Sequence, residues 1–258
     1  MGLASAAIGS KPSGASRYHS PMNLLAIETA TESCSAALLA SDRLLTRSEL
    51  APRRHAELLL PMCDDLLREA GLSRRDLEAI AVGCGPGAFT GVRLAVSAAQ
   101  GIAFALDLPV VAVSSLAALA MQAPTNGAAI LAVIDARMGE VYAGAFERTP
   151  DGLVVAIGGE TVGAAESLAL PAASGWNVIG SGWASYRDAI AAQLPAAPVW
   201  ADGARYPQAE DVARLAAPRV RAGDVLDAAH ALPVYLRDKV ALTIVEQAQK
   251  RKAAAEAR

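Results

Sequence analysis

The sequence is poor in the residues that most often carry chemistry, with three cysteines and three histidines among 258 residues. Cys34, Cys63 and Cys84 show no CxxC spacing and leave an odd count. That argues against a disulfide framework and a structural zinc site, and it fits reduced thiols in the cytoplasm. His19, His55 and His230 lie far apart, with no HxxxH or HExxH on which to build a catalytic metal site. A Gly-x-Ser-x-Gly elbow is also missing. The expectation is a chain with no catalytic residue and no metal of its own. Basic charge is lacking too: a net charge of -3 and a pI near 5.7 give no footprint for nucleic acid. If RNA is involved, another chain grips it. No run approaches the roughly 18 apolar residues of a membrane helix. Aromatics are only 4% of the chain, so the core rests on close contacts between small side chains.

What is abundant is apolar residue, 53% against 19% charged, enough to exclude disorder for most of the length. Residues 1–21 are the exception, a Ser-, Gly-, Ala- and Pro-rich stretch. Lys11 and Arg17 follow its weakly apolar part, the reverse of a signal peptide. It reads as a disordered extension, or as sequence ahead of a true start at Met22.

Asn23–Ile27, Cys34–Leu39 and Leu44–Leu50 read as three strands of an antiparallel opening. A helix is predicted from His55 to Ala70, with Leu59, Met62, Cys63, Leu66, Leu67 and Ala70 on one face. Gly71 ends it, and Pro61 is expected to kink or disturb its first turns. Ser73 to Asp76 has the form of a capping box. Strand Ala79–Gly83, a glycine-rich loop, helix Val92–Leu106 and strand Val110–Val113 form a βαβ-like unit, and Ser114-Ser115 caps a further helix. The polar stripe of the Val92–Leu106 helix is narrow, so it is expected to be buried nearly all round, with a second partner opposite its own sheet. Pro124-Thr125-Asn126-Gly127 marks a boundary. Beyond it strand–turn–strand order restarts at Ala129–Ile134 and Glu140–Phe146, with a third strand near Leu153–Ile157. The repeated order suggests a duplicated α/β architecture. The division expected is 22–125 and 126–241, followed by a polar helical tail at 242–258.

The loop from Gly83 to Gly91 joins a buried strand to a helix start, where unpaired N–H groups favour an anion. Gly85, Gly87, Thr90 and Gly91 are therefore phosphate candidates, set against a tight structural turn. Val92 stands where a Walker loop needs lysine, and Asp107 comes too early for a dinucleotide fingerprint. Glu28-Thr29-Ala30-Thr31 follows the first strand, either as a phosphate-binding hairpin or as a polar cap on the sheet. Asp135 and Glu140 flank its counterpart, a magnesium pair or an ordinary charged turn.

LLAIETATESCSAALL, HAELLLPMCDDLLREAGL, GCGPGAFTGVRLAVSAAQGIAFALDLPVVAVSSLAALA, IDARMGEVYAGAF and LPVYLRDKVA occur in this order, and from Met22 to Ala241 the chain resembles the TsaB (YeaZ) family. The resemblance implies a two-domain actin-like (ASKHA, RNase H-like) α/β fold, each half a mixed sheet with flanking helices. It also implies a non-catalytic subunit in the synthesis of N6-threonylcarbamoyladenosine on ANN-decoding tRNAs, in the cytoplasm. Its partners would be the catalytic TsaD, the ATPase TsaE and, when alone, a second copy. No cofactor would be required by this chain, with ATP or ADP and magnesium at the interface of the complex. Family members pair through their two N-terminal helices. Carried over, that face is Leu59, Met62, Cys63 and Leu66 with Ala98, Ala99 and Ile102. Glu28 replaces a usual Asp, and Ala88 and Ala56 replace usual serines, which weighs against productive ATP binding. An independent phosphotransferase and a metalloprotease are the alternatives.

Overall fold

The computed structural model describes residues 22–237; the extension expected at 1–21 and the tail expected at 242–258 lie outside them. The first sheet contains β1 (Asn23–Glu28), β2 (Ser33–Ala40), β3 (Arg43–Leu50), β4 (Ala79–Gly83) and β5 (Val110–Val113) in the order β3-β2-β1-β4-β5. β1 runs antiparallel to β2 and parallel to β4. The second sheet repeats this plan with β6 (Ala129–Arg137), β7 (Glu140–Arg148), β8 (Val154–Ala156), β10 (Trp176–Ile179) and β11 (Trp200–Asp202), ordered β11-β10-β6-β7-β8. A further strand, β9 (Thr161–Ala164), pairs with β7. Both halves therefore place a first strand between an antiparallel hairpin and a parallel crossover. This duplicated order is the two-domain actin-like plan.

Strand alternation sorts the core. In β1, Leu25 and Ile27 face α1 (His55–Ala70) and α2 (Phe89–Leu106), meeting Leu59, Leu66, Val92, Ala95 and Ala99. Leu24 and Ala26 face the other way, onto Val212, Ala213 and Ala216 of α5 (Ala209–Ala222). In β6, Leu131 and Val133 pack beneath Trp183 and Ile190 of α4 (Ser181–Gln193), while Ile130, Ala132 and Ile134 meet Leu116 and Leu119 of α3 (Ser115–Ala120). Ser114 caps α3, its hydroxyl accepting from the Leu116 and Ala117 N–H groups at 3.1 and 3.2 Å.

Three expectations need amendment. α1 runs through Pro61 unbroken, because the carbonyl that proline leaves without an N–H belongs to Glu57, and both residues are exposed to water. α2 is long and apolar enough by composition to cross a membrane, yet only 33% of it is buried, so one of its faces is left open by this chain. The division at residue 125 also fails for the C-terminal stretch. α5 packs on β1, β2, β4 and β5 of the first sheet, Leu226 bridges Val110, and the Val234 N–H donates to the Cys84 carbonyl at 2.8 Å.

The return of α5 buries a carboxyl group near the place where the halves meet. Asp211, 1% exposed, lies 3.4 Å from the Arg214 guanidinium, and its Oδ2 has no partner. Arg148, on β7, donates to the Gly152 and Ala123 carbonyls at 2.7 Å each. Burial pushes the Asp211 carboxyl up to about 7, helped by Glu210 and opposed by Arg214, Gln122 and Arg148. Because the folded value lies above the ordinary 3.8, the fold holds the proton after the unfolded chain has released it. Stability from this group therefore falls as pH rises from about 4 to about 7, by roughly 4 kcal/mol in all. Asp211→Asn is expected to match the wild type in thermal melts near pH 4 and to exceed it by several degrees near pH 8. Parallel curves across that range would refute the assignment.

Candidate functional site

The turn after β1 and the loop after β4 form the centre of the molecule. Glu28 is fully buried; its Oε1 accepts from the Ala30 N–H at 2.6 Å and its Oε2 from the Ser115 hydroxyl at 2.7 Å. Burial raises its carboxyl above the ordinary range, and these hydrogen bonds oppose the rise. The loop glycines make room for the turn. A Cβ at Gly83 would stand 1.8 Å from Glu28 Oε2, one at Gly87 2.3 Å from the Ala30 carbonyl, and one at Gly91 2.0 Å from the Thr29 carbonyl. The Ala88 N–H donates to the Ala30 carbonyl at 2.7 Å, and the Thr29 hydroxyl to the Gly91 carbonyl at 2.7 Å. Of the four phosphate candidates, Gly87 and Gly91 thus have their Cβ directions set against the chain's own turn. Gly85, at φ +94, faces Val92 and the Val234 carbonyl, and Thr90 is exposed at the α2 N-terminus.

Between the two hairpin turns lies a cleft of about 270 Å³, walled by Ala30–Glu32, Gly87–Phe89, Ile134–Arg137 and Tyr142, with Val234–Arg237 along one side. Its charges are already matched. Asp135 accepts from the Arg137 N–H at 2.7 Å, the Arg137 guanidinium at 2.9 Å and the Tyr186 hydroxyl at 3.2 Å. Arg137 also reaches across to Glu32 at 2.6 Å. Glu140 pairs with Arg237, whose guanidinium donates to the Ala136 carbonyl at 3.1 Å as well. Asp135 and Glu140 thus each carry an ion pair of a charged turn. Among the described histidines, His55 bonds the Thr31 carbonyl through Nε2 at 2.9 Å, and His230 lies exposed beside Asp227. Burial drives the Cys63 and Cys84 thiols up to about 12 and the Cys34 thiol up to about 11, far from nucleophile range.

A second site is the surface of α1 and α2. Leu59, Cys63, Leu66 and Ala99, expected on a partner interface, are buried in the core against the first sheet. They lie on the faces that their helices turn to the sheet. Met62, Ala98 and Ile102 are only partly buried. The open face lies beside them and was missed: Leu60 is 53% exposed and Phe104 85%. Between the helices runs an apolar groove of about 390 Å³ whose lining includes Leu60, Cys63, Leu67, Leu77, Gly101, Ile102 and Ala105. Arg93, Ser97, Gly101 and Phe104, at i, i+4, i+8 and i+11, share one exposed stripe of α2. An unusually exposed, narrowly polar helix was the available sequence signal.

A duplicated 3-2-1-4-5 sheet order around a central cleft defines a protein of the actin-like class. The family model for TsaD, tRNA N6-adenosine threonylcarbamoyltransferase, matches residues 46–244. The tRNA threonylcarbamoyladenosine biosynthesis protein TsaB of Escherichia coli K12 is 40% identical over 226 residues, which is 85% of this chain and 96% of that protein. TsaB of Haemophilus influenzae is 47% identical over 123 residues, 47% of this chain and 52% of that one. Among solved structures, YeaZ from Pseudomonas aeruginosa is 46% identical with a TM-score of 0.77, covering 83% of this chain and 100% of its own. The chain belongs to the TsaB (YeaZ) family.

The glycine loop yields a direct test. Gly91→Ala is expected to cost about 3 kcal/mol in chemical denaturation, since backbone stands where the methyl group must go. Stability within 0.5 kcal/mol of wild type, on the order expected for a surface change, would show that the turn is not packed as described.

Proposed function

We propose that this chain serves the synthesis of N6-threonylcarbamoyladenosine on tRNA as a non-catalytic scaffold that docks the TsaD subunit on the exposed face of α1 and α2. Its part in that synthesis follows from its family. The observation that carries the scaffold reading is α2. An apolar helix of 18 residues that leaves Phe104 85% exposed on its outer face offers apolar surface that a lone chain does not gain from. Gly101 sharpens the argument. A helix-interior glycine costs about 1 kcal/mol relative to alanine, yet a Cβ at Gly101 would meet nothing within 4 Å in this chain. A partner helix lying close against the stripe supplies the missing reason. Phe104 then enters the partner, and the groove beside Leu60 receives a side chain in return.

In this reading a second copy occupies the same face when TsaD is absent, and TsaE joins the pair. The tRNA is reached through the complex, in the cytoplasm. Nucleotide and magnesium belong at the joint interface. The filled glycine loop and the matched charges of the cleft favour this over a phosphotransferase acting alone.

The test is co-expression with TsaD of the same organism, followed by light scattering on the eluted species. The wild type is expected to elute as a heterodimer. Phe104→Glu is expected to melt like the wild type and Gly101→Leu somewhat above it, and both are expected to lose the partner. A heterodimer that survives both substitutions would remove the docking face from the proposal.

A further inference from the structure

The stripe of α2 that ends in Phe104 begins in a different kind of group. Arg93 lies over Phe89, its guanidinium carbon 3.8 Å from the ring centroid, and 5.6 Å from the centroid of Tyr235. The two rings are 5.9 Å apart. The Arg93 Nε–H donates to the Tyr235 hydroxyl at 2.7 Å. Nε is therefore committed, and the outer edge of the guanidinium, formed by Nη1 and Nη2, is held in a fixed direction. Among the described residues no carboxylate lies within ion-pair distance of Arg93, whereas Arg137 and Arg237 at the neighbouring cleft each have one.

We propose that Arg93, clamped by Phe89 and Tyr235, is the charged anchor of the docking face and receives a carboxylate side chain of the partner protein. This rests on the docking reading above and adds the chemistry of one contact to it. The free edge of a guanidinium offers two parallel N–H donors, a geometry that a carboxylate matches and a lone carbonyl does not. The aromatic clamp has already removed the rotamer freedom that binding would otherwise cost. Both rings are half exposed, as is Leu232 nearby on the same strap. A partner that covers them excludes water around the pair, and exclusion of water strengthens it. Arginine with tyrosine and a second aromatic is the composition of an energetic centre in a protein interface. A phosphate backbone is the other anion that such a fork accepts. One arginine on a chain of net charge -3, continuous with an apolar helix stripe, fits a carboxylate set in an apolar surface better than a polyanion.

The experiment measures the dissociation constant of the full chain for TsaD of the same organism by calorimetry. Variants are Arg93→Ala, Arg93→Lys and Tyr235→Phe, with Phe104→Glu as the reference for the face itself. Arg93→Ala is expected to weaken binding about 30-fold or more, the lower end of the range for truncating one member of a desolvated pair. Arg93→Lys is expected to recover little of this, because an ammonium lacks the fork. Tyr235→Phe, which frees Nε, is expected to lose a few-fold. If Arg93→Ala and Arg93→Lys both bind as the wild type while Phe104→Glu does not, the anchor is wrong and the docking face stands. If all of these bind as the wild type, both are wrong. Should Arg93→Ala keep its affinity for TsaD while weakening tRNA binding by the assembled pair, the anion is a phosphate and the carboxylate assignment falls.

Discussion

The structure depends on a steric constraint at its centre, where the Glu28–Thr31 turn presses into the glycine loop after β4. Three glycines four residues apart, Gly83, Gly87 and Gly91, each stand where a side chain would overlap an atom of that turn. The contact fixes β4, the first turn of α2 and, through the Glu28–Ser115 hydrogen bond, the start of α3. Since α3 packs against the second sheet, the same contact sets how the two halves meet. It also sets the direction in which α2 leaves the sheet, and with it which residues of that helix are offered to solvent. A loop whose composition suits phosphate thus serves here as a socket for the protein's own backbone. The buried Glu28 carboxyl sits at its base.

The fold was legible because its strands and helices are written in strict periods. Alternation in Leu24–Ile27 sends two residues to each side, and the boundaries of α1, β4 and β5 follow from apolar spacing and caps. What was not legible is long-range. Nothing local to Ala209–Ala222 says that this helix crosses back to the first sheet, and the periodicity of a helix does not name the sheet it covers. The strap from Ala231 to Arg237 has no period at all. Its place comes from single contacts such as the Gln100 side-chain N–H to the Ala231 carbonyl at 3.1 Å.

The residues carried over to a partner face lie in the core for a physical reason. Apolar spacing finds the face of a helix that most needs burial, and the nearest sheet claims that face. Leu59, Cys63, Leu66 and Ala99 satisfy the pattern and are spent on the core. A face that must be exposed in one state and covered in another has a different composition. It carries small residues that let a partner approach, a few large apolar groups, and polar groups that keep the free chain in solution. Ser97, Gly101, Phe104 and Arg93 form such a set, and none of them ranks high in a search for core residues. The more informative sequence signal was an excess: more apolar surface on α2 than one sheet can cover.

The two sites also differ in what they still require. In the cleft, Asp135, Glu32 and Glu140 are each met by an arginine, and the turn glycines are filled, so a ligand entering there must first displace partners already made. On the α2 stripe nothing has to be displaced. The open Gly101, the projecting Phe104 and the aligned edge of Arg93 are ready before a partner arrives. Exchange of one ion pair for another yields little net free energy, because both states desolvate the same charges. Covering apolar surface and completing a pre-positioned fork are gains not offset by lost contacts. That difference is why the α2 stripe, more than the cleft, carries the proposal of a surface for another protein.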